Sequence, residues 1–271
     1  MSYPVASAPL WQPSAERIAG TQLTAFAKEA AARWGRSLPD YAALHAWSIA
    51  HPEEFWVSVW DFGGVIGERG DVVVENGDRM PGARWFPQAR LNFARNLLRS
   101  RDDGLALVFW GEDKLIRRMD RGDLYRRVAR LAAAMKADGV KAGDRIAAYM
   151  PNMPETLVTM LAAASIGAIF TSASPDFGVQ GVIDRFGQVE PKLLFVADGY
   201  YYNGKTLDSL EKVAEIADRL PTVEKVIVAR YVKGEGHDLS RIRGGVMLRD
   251  YVDPHRWQTE IDFAELPFDH P

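Results

Sequence analysis

The chain contains no cysteine. That excludes disulfide bonds, thiolate metal centres and a cysteine nucleophile, and it suits a reducing, cytoplasmic setting. Excess charge is also missing. The 33 Lys and Arg against 36 Asp and Glu leave a formal net charge of −3 over 271 residues. No broad basic field is present to recruit nucleic acid or an anionic membrane. Long apolar runs are lacking too. The longest uncharged stretch lies between Glu155 and Asp176, is rich in Ala, Ser and Thr, and is divided by Gly167. It reads as a buried helix followed by a strand rather than a membrane span. The opening Met1-Ser-Tyr-Pro-Val-Ala6 has neither the basic patch nor the apolar core of a signal peptide. No G-x-S-x-G elbow, H-E-x-x-H helix or G-x-G-x-x-G turn occurs, and no phosphate-binding loop is identified. The five histidines, at 45, 51, 237, 255 and 270, have no metal-ligand spacing.

What is present divides unevenly. Six of the eight tryptophans (Trp11, Trp34, Trp47, Trp56, Trp60 and Trp85) fall in residues 1–85. There Thr21 is placed to cap a helix with Leu23, Phe26, Ala27, Ala30 and Trp34 on one stripe. Two more helices are expected over 40–50 and 52–60, the second opened by Pro52. This first part is read as a helical, Trp-rich segment that packs its aromatics against a larger body.

Residues 86–265 carry a different pattern. Runs at 105–110 and 114–119 flank the turn Gly111-Glu-Asp113, as in a β-hairpin. Asp120, with Asp123 three residues on, should cap a helix whose buried stripe is Leu124, Val128, Leu131, Ala132 and Met135, leaving Arg126, Arg127 and Arg130 on a solvated face. Strands are then expected at 145–150, 168–172, 192–197 and 224–229. The intervening helices are 156–166 (capped by Asn152, with Glu155 at the third position), 174–188 and 206–220. Short strands joined by helices imply right-handed crossovers and a mostly parallel sheet. The fold class is therefore α/β. Residues 266–271 read as a linker, and the α/β part reads as an incomplete domain.

Two turns that follow strands are candidate binding elements. In the first, Phe170-Thr-Ser-Ala-Ser-Pro-Asp-Phe177, hydroxyls of Thr171, Ser172 and Ser174 could face a phosphate or polar ligand. The competing reading is plain helix capping by Ser174 with Pro175 behind it. In the second, Ala197-Asp-Gly-Tyr-Tyr-Tyr-Asn-Gly-Lys205, a cation and three tyrosines stand just ahead of an expected helix. They could grip a nucleotide phosphate and stack on its base. The competing reading is a surface turn.

Five stretches together resemble a known family. Met80-Pro-Gly-Ala-Arg-Trp-Phe-Pro-Gln-Ala-Arg-Leu-Asn-Phe-Ala-Arg-Asn-Leu-Leu98 resembles the amino-terminal signature of short-chain acyl-CoA synthetases. Val108-Phe-Trp-Gly-Glu-Asp-Lys114, Ala148-Tyr-Met-Pro-Asn-Met-Pro-Glu-Thr156, Ser174-Pro-Asp-Phe-Gly-Val-Gln-Gly-Val182 and the Ala197–Lys205 turn narrow the resemblance to the acetoacetyl-CoA synthetases of the adenylate-forming superfamily. It runs from about Leu10 to the end, and it covers only the amino-terminal part of such a ligase. The resemblance implies an enzyme that uses ATP, Mg2+ and CoA and takes acetoacetate through an acyl-adenylate. The missing carboxyl-terminal part would supply the ATP loop and catalytic lysine, so the 271-residue chain alone is expected to be inactive. It implies a CoA-phosphate contact at Tyr202, Asn203, Gly204 and Lys205, where related enzymes carry arginines and only Lys205 keeps a charge. It implies a second contact near the CoA adenine at Ser172 and Ser174, in a stretch that is Gly-rich in those relatives. No catalytic or metal-binding residue is carried over. Two alternatives stay open: a ligase for another short-chain acid such as acetate or propionate, and a non-catalytic CoA- or partner-binding module.

Overall fold

A computed structural model describes residues 9, 11–112 and 115–271, with Leu115 described by its backbone alone. Two compact units result. One comprises Met1–Val65 with Gly70–Gln88, the other Ile66–Arg69 with Ala89–Pro271.

In the first unit, three helices span Gln22–Trp34, Tyr41–Ala50 and Pro52–Phe62. Each begins where an orphan amide is satisfied or absent. The Thr21 and Asp40 side chains accept from the amides of Thr24 and Ala43, and Pro52 fills the first position of the third helix. Their aromatics pack on one another. Phe26 meets Phe55 and Phe62 edge-to-face at centroid separations of 5.9 and 5.4 Å, and Trp47 meets Phe55 at 5.8 Å. The indole N–H groups also find partners: Trp34 donates to Ser58 Oγ at 2.8 Å and Trp47 to Glu54 Oε2 at 2.9 Å. Of the expected stripe, Phe26 and Ala30 are buried, while Leu23 is exposed.

The second unit carries the α/β pattern. A hairpin of Leu105–Gly111 with Leu115–Asp120 is followed by helix α1, Arg121–Ala137. Residue 113 of the expected hairpin turn lies outside the described residues. Asp120 accepts from the Asp123 amide at 2.6 Å, and all five stripe residues of α1 are buried. Strand β1 (Arg145–Tyr149) leads to α2 (Pro154–Ser165), β2 (Ile169–Ala173), α3 (Val179–Val189), β3 (Leu193–Ala197), α4 (Leu210–Arg219), β4 (Lys225–Ala229) and β5 (Gly245–Met247). The five strands form one parallel sheet in the order β5-β4-β3-β1-β2. Alternate residues serve alternate faces. Ile146, Ala148, Phe195 and Ile227 pack toward α1 and α2, while Tyr149, Leu194, Val196 and Val228 pack toward α3 and α4. Both faces being covered, the strands are almost wholly apolar.

Three boundaries differ from expectation. Helix α2 starts at Pro154, with Met153 rather than Asn152 as the residue before it and no side-chain cap. Proline at the first position removes one of the amides that a helix start leaves without a partner, and its fixed φ suits the first turn. Helix α3 starts at Val179, after Gly178, rather than at Ser174. Residues 199–208 form strands rather than the start of a helix. At the far end, Leu266–Pro267 pairs antiparallel with Arg90–Leu91, and His270 Nε2 lies 2.9 Å from the Gly167 carbonyl. Asn92, fully buried, donates to the carbonyls of Ala164, Ser165 and Ala264.

Candidate ligand site at the carboxyl ends of the strands

In this strand order, the chain leaves β1 in one direction across the sheet and returns to β3 on the other side. That reversal opens a crevice beyond the carboxyl ends of β1 and β3, where ligands of such sheets bind. Both candidate turns stand at its rim.

The turn after β2 is built by Tyr149, the last residue of β1. Its buried hydroxyl lies 2.8 Å from the Pro175 carbonyl and 2.7 Å from that of Phe177. Burial pushes the Tyr149 phenol up to about 12, with the Tyr200 and Asp176 charges adding to it. With both carbonyls bonded to Tyr149 the turn is not helical and α3 begins only at Val179, so Ser174 caps no helix. Instead, its hydroxyl donates to Asp176 Oδ2 at 2.9 Å. The helix start and cap expected at Ser174 are thereby overturned. Ser172 is exposed on β2, an edge strand.

The turn after β3 is a β-hairpin. Gly199–Tyr202 pairs with Lys205–Asp208, with Tyr202 opposite Lys205. Asn203 and Gly204 take φ of 50° and 72°, the two left-handed residues of a tight hairpin turn. Lys205 therefore opens the returning strand rather than a helix, and α4 begins only at Leu210. The string Gly199-Tyr-Tyr-Tyr-Asn-Gly-Lys-Thr206 spells G-x-x-x-x-G-K-T, a pattern the motif reading of the sequence missed. The structure decides against a nucleotide loop of that kind, because such a loop must run from strand to helix and wrap the phosphates in backbone amides. The tip amides here already have a partner: Asn203 N and Gly204 N donate to the Glu112 carboxylate at 3.1 and 3.4 Å.

The two turns meet through Tyr200 and Asp176. Burial and the nearby Asp176 carboxylate raise the Tyr200 phenol. Tyr202, Asn203, Gly204 and Lys205 are thus together at the hairpin tip, and Ser174 stands beside its base. Among the described residues, no hydrogen bond joins Ser172 to any of them.

Several residues that shape the site drew no attention in the sequence. Asp198, wholly buried, follows β3. It accepts from the amides of Tyr231, Val232 and Lys233 at 2.8, 2.9 and 3.0 Å and meets His237 Nε2 at 2.7 Å. One carboxylate thus fixes the loop after β4 against the base of the hairpin. The available signal was a charged residue placed directly after an all-buried strand. Alongside lies a groove of about 760 Å³, lined by residues that include Arg117, Arg130, Glu155, Arg230 and His237. Arg117 grips Glu155 with two bonds, at 2.6 and 2.9 Å. The Nε atoms of Arg117 and Arg130 are buried without a partner. Arg130 is therefore part of the groove wall, not of a solvated face. Helical spacing alone could not separate it from Arg126, which is exposed and paired with Asp123; Arg127, also paired with Asp123, lines the same groove.

The matches to known proteins fall on these elements. The family model described as "AMP-binding enzyme" matches residues 93–249, and "Acetyl-coenzyme A synthetase N-terminus" matches residues 41–97. Acetoacetyl-coenzyme A synthetase of Rhizobium meliloti (strain 1021) is 47% identical over 268 residues, covering 98% of this chain and 40% of its own length. Malonamoyl-CoA synthetase vrtB of Penicillium aethiopicum is 37% identical over 274 residues, covering 97% and 38%. The solved acetoacetyl-CoA synthetase from Streptomyces lividans superposes with a TM-score of 0.88 at 39% identity, over 97% of this chain and 40% of that one. The chain thus spans about two-fifths of the length of these relatives.

Proposed function

The chain belongs to the AMP-binding enzyme family, and from that premise we propose that it is the amino-terminal part of an acetoacetate–CoA ligase. The observation that carries the reading is the near end-to-end similarity to acetoacetyl-coenzyme A synthetases. In the proposed reaction, the acetoacetate carboxylate attacks the α-phosphorus of ATP and expels pyrophosphate, giving acetoacetyl-adenylate. The CoA thiol, giving up its proton, then attacks the adenylate carbonyl carbon. AMP departs and acetoacetyl-CoA is formed.

The part assigned to this chain is to bind and orient CoA. Lys205 supplies a cation, and the Asn203 and Gly204 amides supply donors for a CoA phosphate. The exposed Tyr202 ring offers a stacking face, and Ser172 and Ser174 border the adenine side. For ATP and Mg2+ the fit is poor. Among the described residues, no group of three or more His, Asp or Glu is arranged to hold a metal ion, and the phosphate-loop pattern is a hairpin. None of the described residues is therefore assigned to either. We place the enzyme in the cytoplasm, acting on small molecules, without nucleic acid or membrane as partner. Among the described residues, no helix is long and apolar enough to cross a membrane.

A second reading, a ligase for a different short acid, is favoured by the similarity to a malonamoyl-CoA synthetase. Acid-dependent ATP–pyrophosphate exchange and thioester formation by the complete protein, with acetoacetate, malonamate, acetate and propionate, tests both. The highest kcat/KM is expected for acetoacetate. A clear preference for another acid overturns the first reading in favour of the second. The 271-residue chain alone is expected to give no exchange.

A further inference from the structure

We propose that Glu112 is a built-in competitor for the anion site at the hairpin tip, a carboxylate that an incoming phosphate must displace. This deepens, and rests on, the reading of that hairpin as a CoA-phosphate contact.

Two consecutive left-handed residues, Asn203 and Gly204, turn their amides toward one side of the tip, an arrangement that suits an anion. An anion is already there. Glu112 comes from a different hairpin, ninety-one residues earlier in the chain than Asn203, and accepts from both amides. Glu112 also has a left-handed φ of 50°, an uncommon conformation for a residue with a side chain. The approach is braced from below. Tyr231, in the loop fixed by Asp198, packs edge-to-face on Phe109 of one hairpin and Tyr201 of the other, at centroid separations of 5.8 and 5.1 Å. The two hairpins are thus held side by side whether or not Glu112 is bonded.

Magnitudes favour exchange. The bonds are 3.1 and 3.4 Å long, and Glu112, Asn203 and Gly204 are all exposed. Long, solvated bonds of this kind are weak. A phosphate brings more charge and more acceptor oxygens than a carboxylate. It also gains Lys205, which has no carboxylate partner among the described residues. A displaced Glu112 stays nearby and repels the newcomer, so its charge lowers affinity in both states of the tip.

The test is binding of CoA, dephospho-CoA, adenosine 3′,5′-bisphosphate and inorganic phosphate to the complete protein by calorimetry, for wild type, E112Q, E112A and K205A. E112Q and E112A are expected to bind CoA and the bisphosphate roughly three- to tenfold more tightly, with little change for dephospho-CoA if the 3′-phosphate is the group that lands on the tip. Unchanged or weaker CoA binding in both Glu112 variants overturns the proposal. K205A reads the underlying assignment separately. Weaker CoA binding supports the hairpin as the phosphate contact, and unchanged binding removes it whatever the Glu112 variants do. Tightening for inorganic phosphate alone identifies a small-anion site rather than a CoA site and also overturns the proposal. Circular dichroism of each variant establishes that the fold is retained.

Discussion

Replacing Asp198 by asparagine removes a charge from the point where three segments meet. In the native protein, Oδ1 takes the amides of Tyr231 and Val232, while Oδ2 takes the Lys233 amide and His237 Nε2. A carboxylate only accepts, so Nε2 carries the hydrogen. Asparagine has one accepting oxygen. Placed at the Oδ1 position, it keeps Tyr231 and Val232 but turns an NH2 group toward the Lys233 amide and the imidazole. Histidine can change tautomer and accept; a backbone amide cannot. The variant therefore leaves one inward-facing N–H against another donor and exchanges charged bonds for neutral ones. An orphaned buried donor costs about 1–3 kcal/mol and the lost charge assistance a further 1 kcal/mol or so, giving roughly 3 kcal/mol in all. Hydrogen exchange of a peptide covering residues 230–237, read by mass spectrometry, measures that loss locally. About a hundredfold faster exchange is expected there, with the β4 amides changing far less. Protection within about threefold of wild type, a difference of well under 1 kcal/mol, would refute the claim that this carboxylate holds the loop.

The Tyr149 phenol gives a pH test. Its pKa is raised in the folded protein, so its contribution is complete below the ordinary phenol value of 10.0 and is lost as the pH rises toward about 12; a Tyr149→Phe variant should lack that alkaline loss and cost roughly 1–2 kcal/mol in a urea melt. Glu54 gives the acid counterpart. Hydrogen bonds from Arg36 and Trp47 hold its carboxyl below the usual range, so its contribution is present above the ordinary carboxylate pKa and fades as pH falls through the lowered one. E54Q should therefore flatten the acid limb of stability and shift the Trp47 near-ultraviolet dichroism. Gly204→Ala places a side chain at φ of 72° and should destabilise the hairpin by about 1 kcal/mol, read as faster exchange at Tyr200–Leu207. An equal or slower rate would mean that the left-handed turn is not required.

Much of the scaffold was legible because local chemistry and burial point the same way. Asp120, its partner amide at Asp123 and five buried positions mark α1 without reference to anything distant. The central strands β1, β3 and β4 are nearly unbroken apolar runs because helices cover both their faces. The hairpin after β3 was misread although its signal is strong: Asn203-Gly204 between tyrosines and Lys-Thr-Leu is a two-residue turn between strand formers. Reading Lys205 as a charge ahead of a helix obscured it. The start of α3 was misplaced for a different reason. Ser174-Pro175 looks like a helix opening, and only the approach of Tyr149 from another strand diverts the carbonyls. Arg130, Asp198 and Glu112 were beyond local reading, since what they do depends on partners contributed by other elements.

The Tyr149 hydroxyl has a single hydrogen and two carbonyls within reach of it. Only one can hold the proton fully at any instant, so the turn after β2 is tethered by a bond that can pass between neighbouring acceptors without being broken. The carbonyls of Pro175 and Phe177 flank Asp176, so the same hydroxyl that ties down the turn also sets where the Asp176 carboxylate meets Tyr200. One side of the crevice rim is thus tied through a single shared proton, and the other through four bonds to one carboxylate at Asp198.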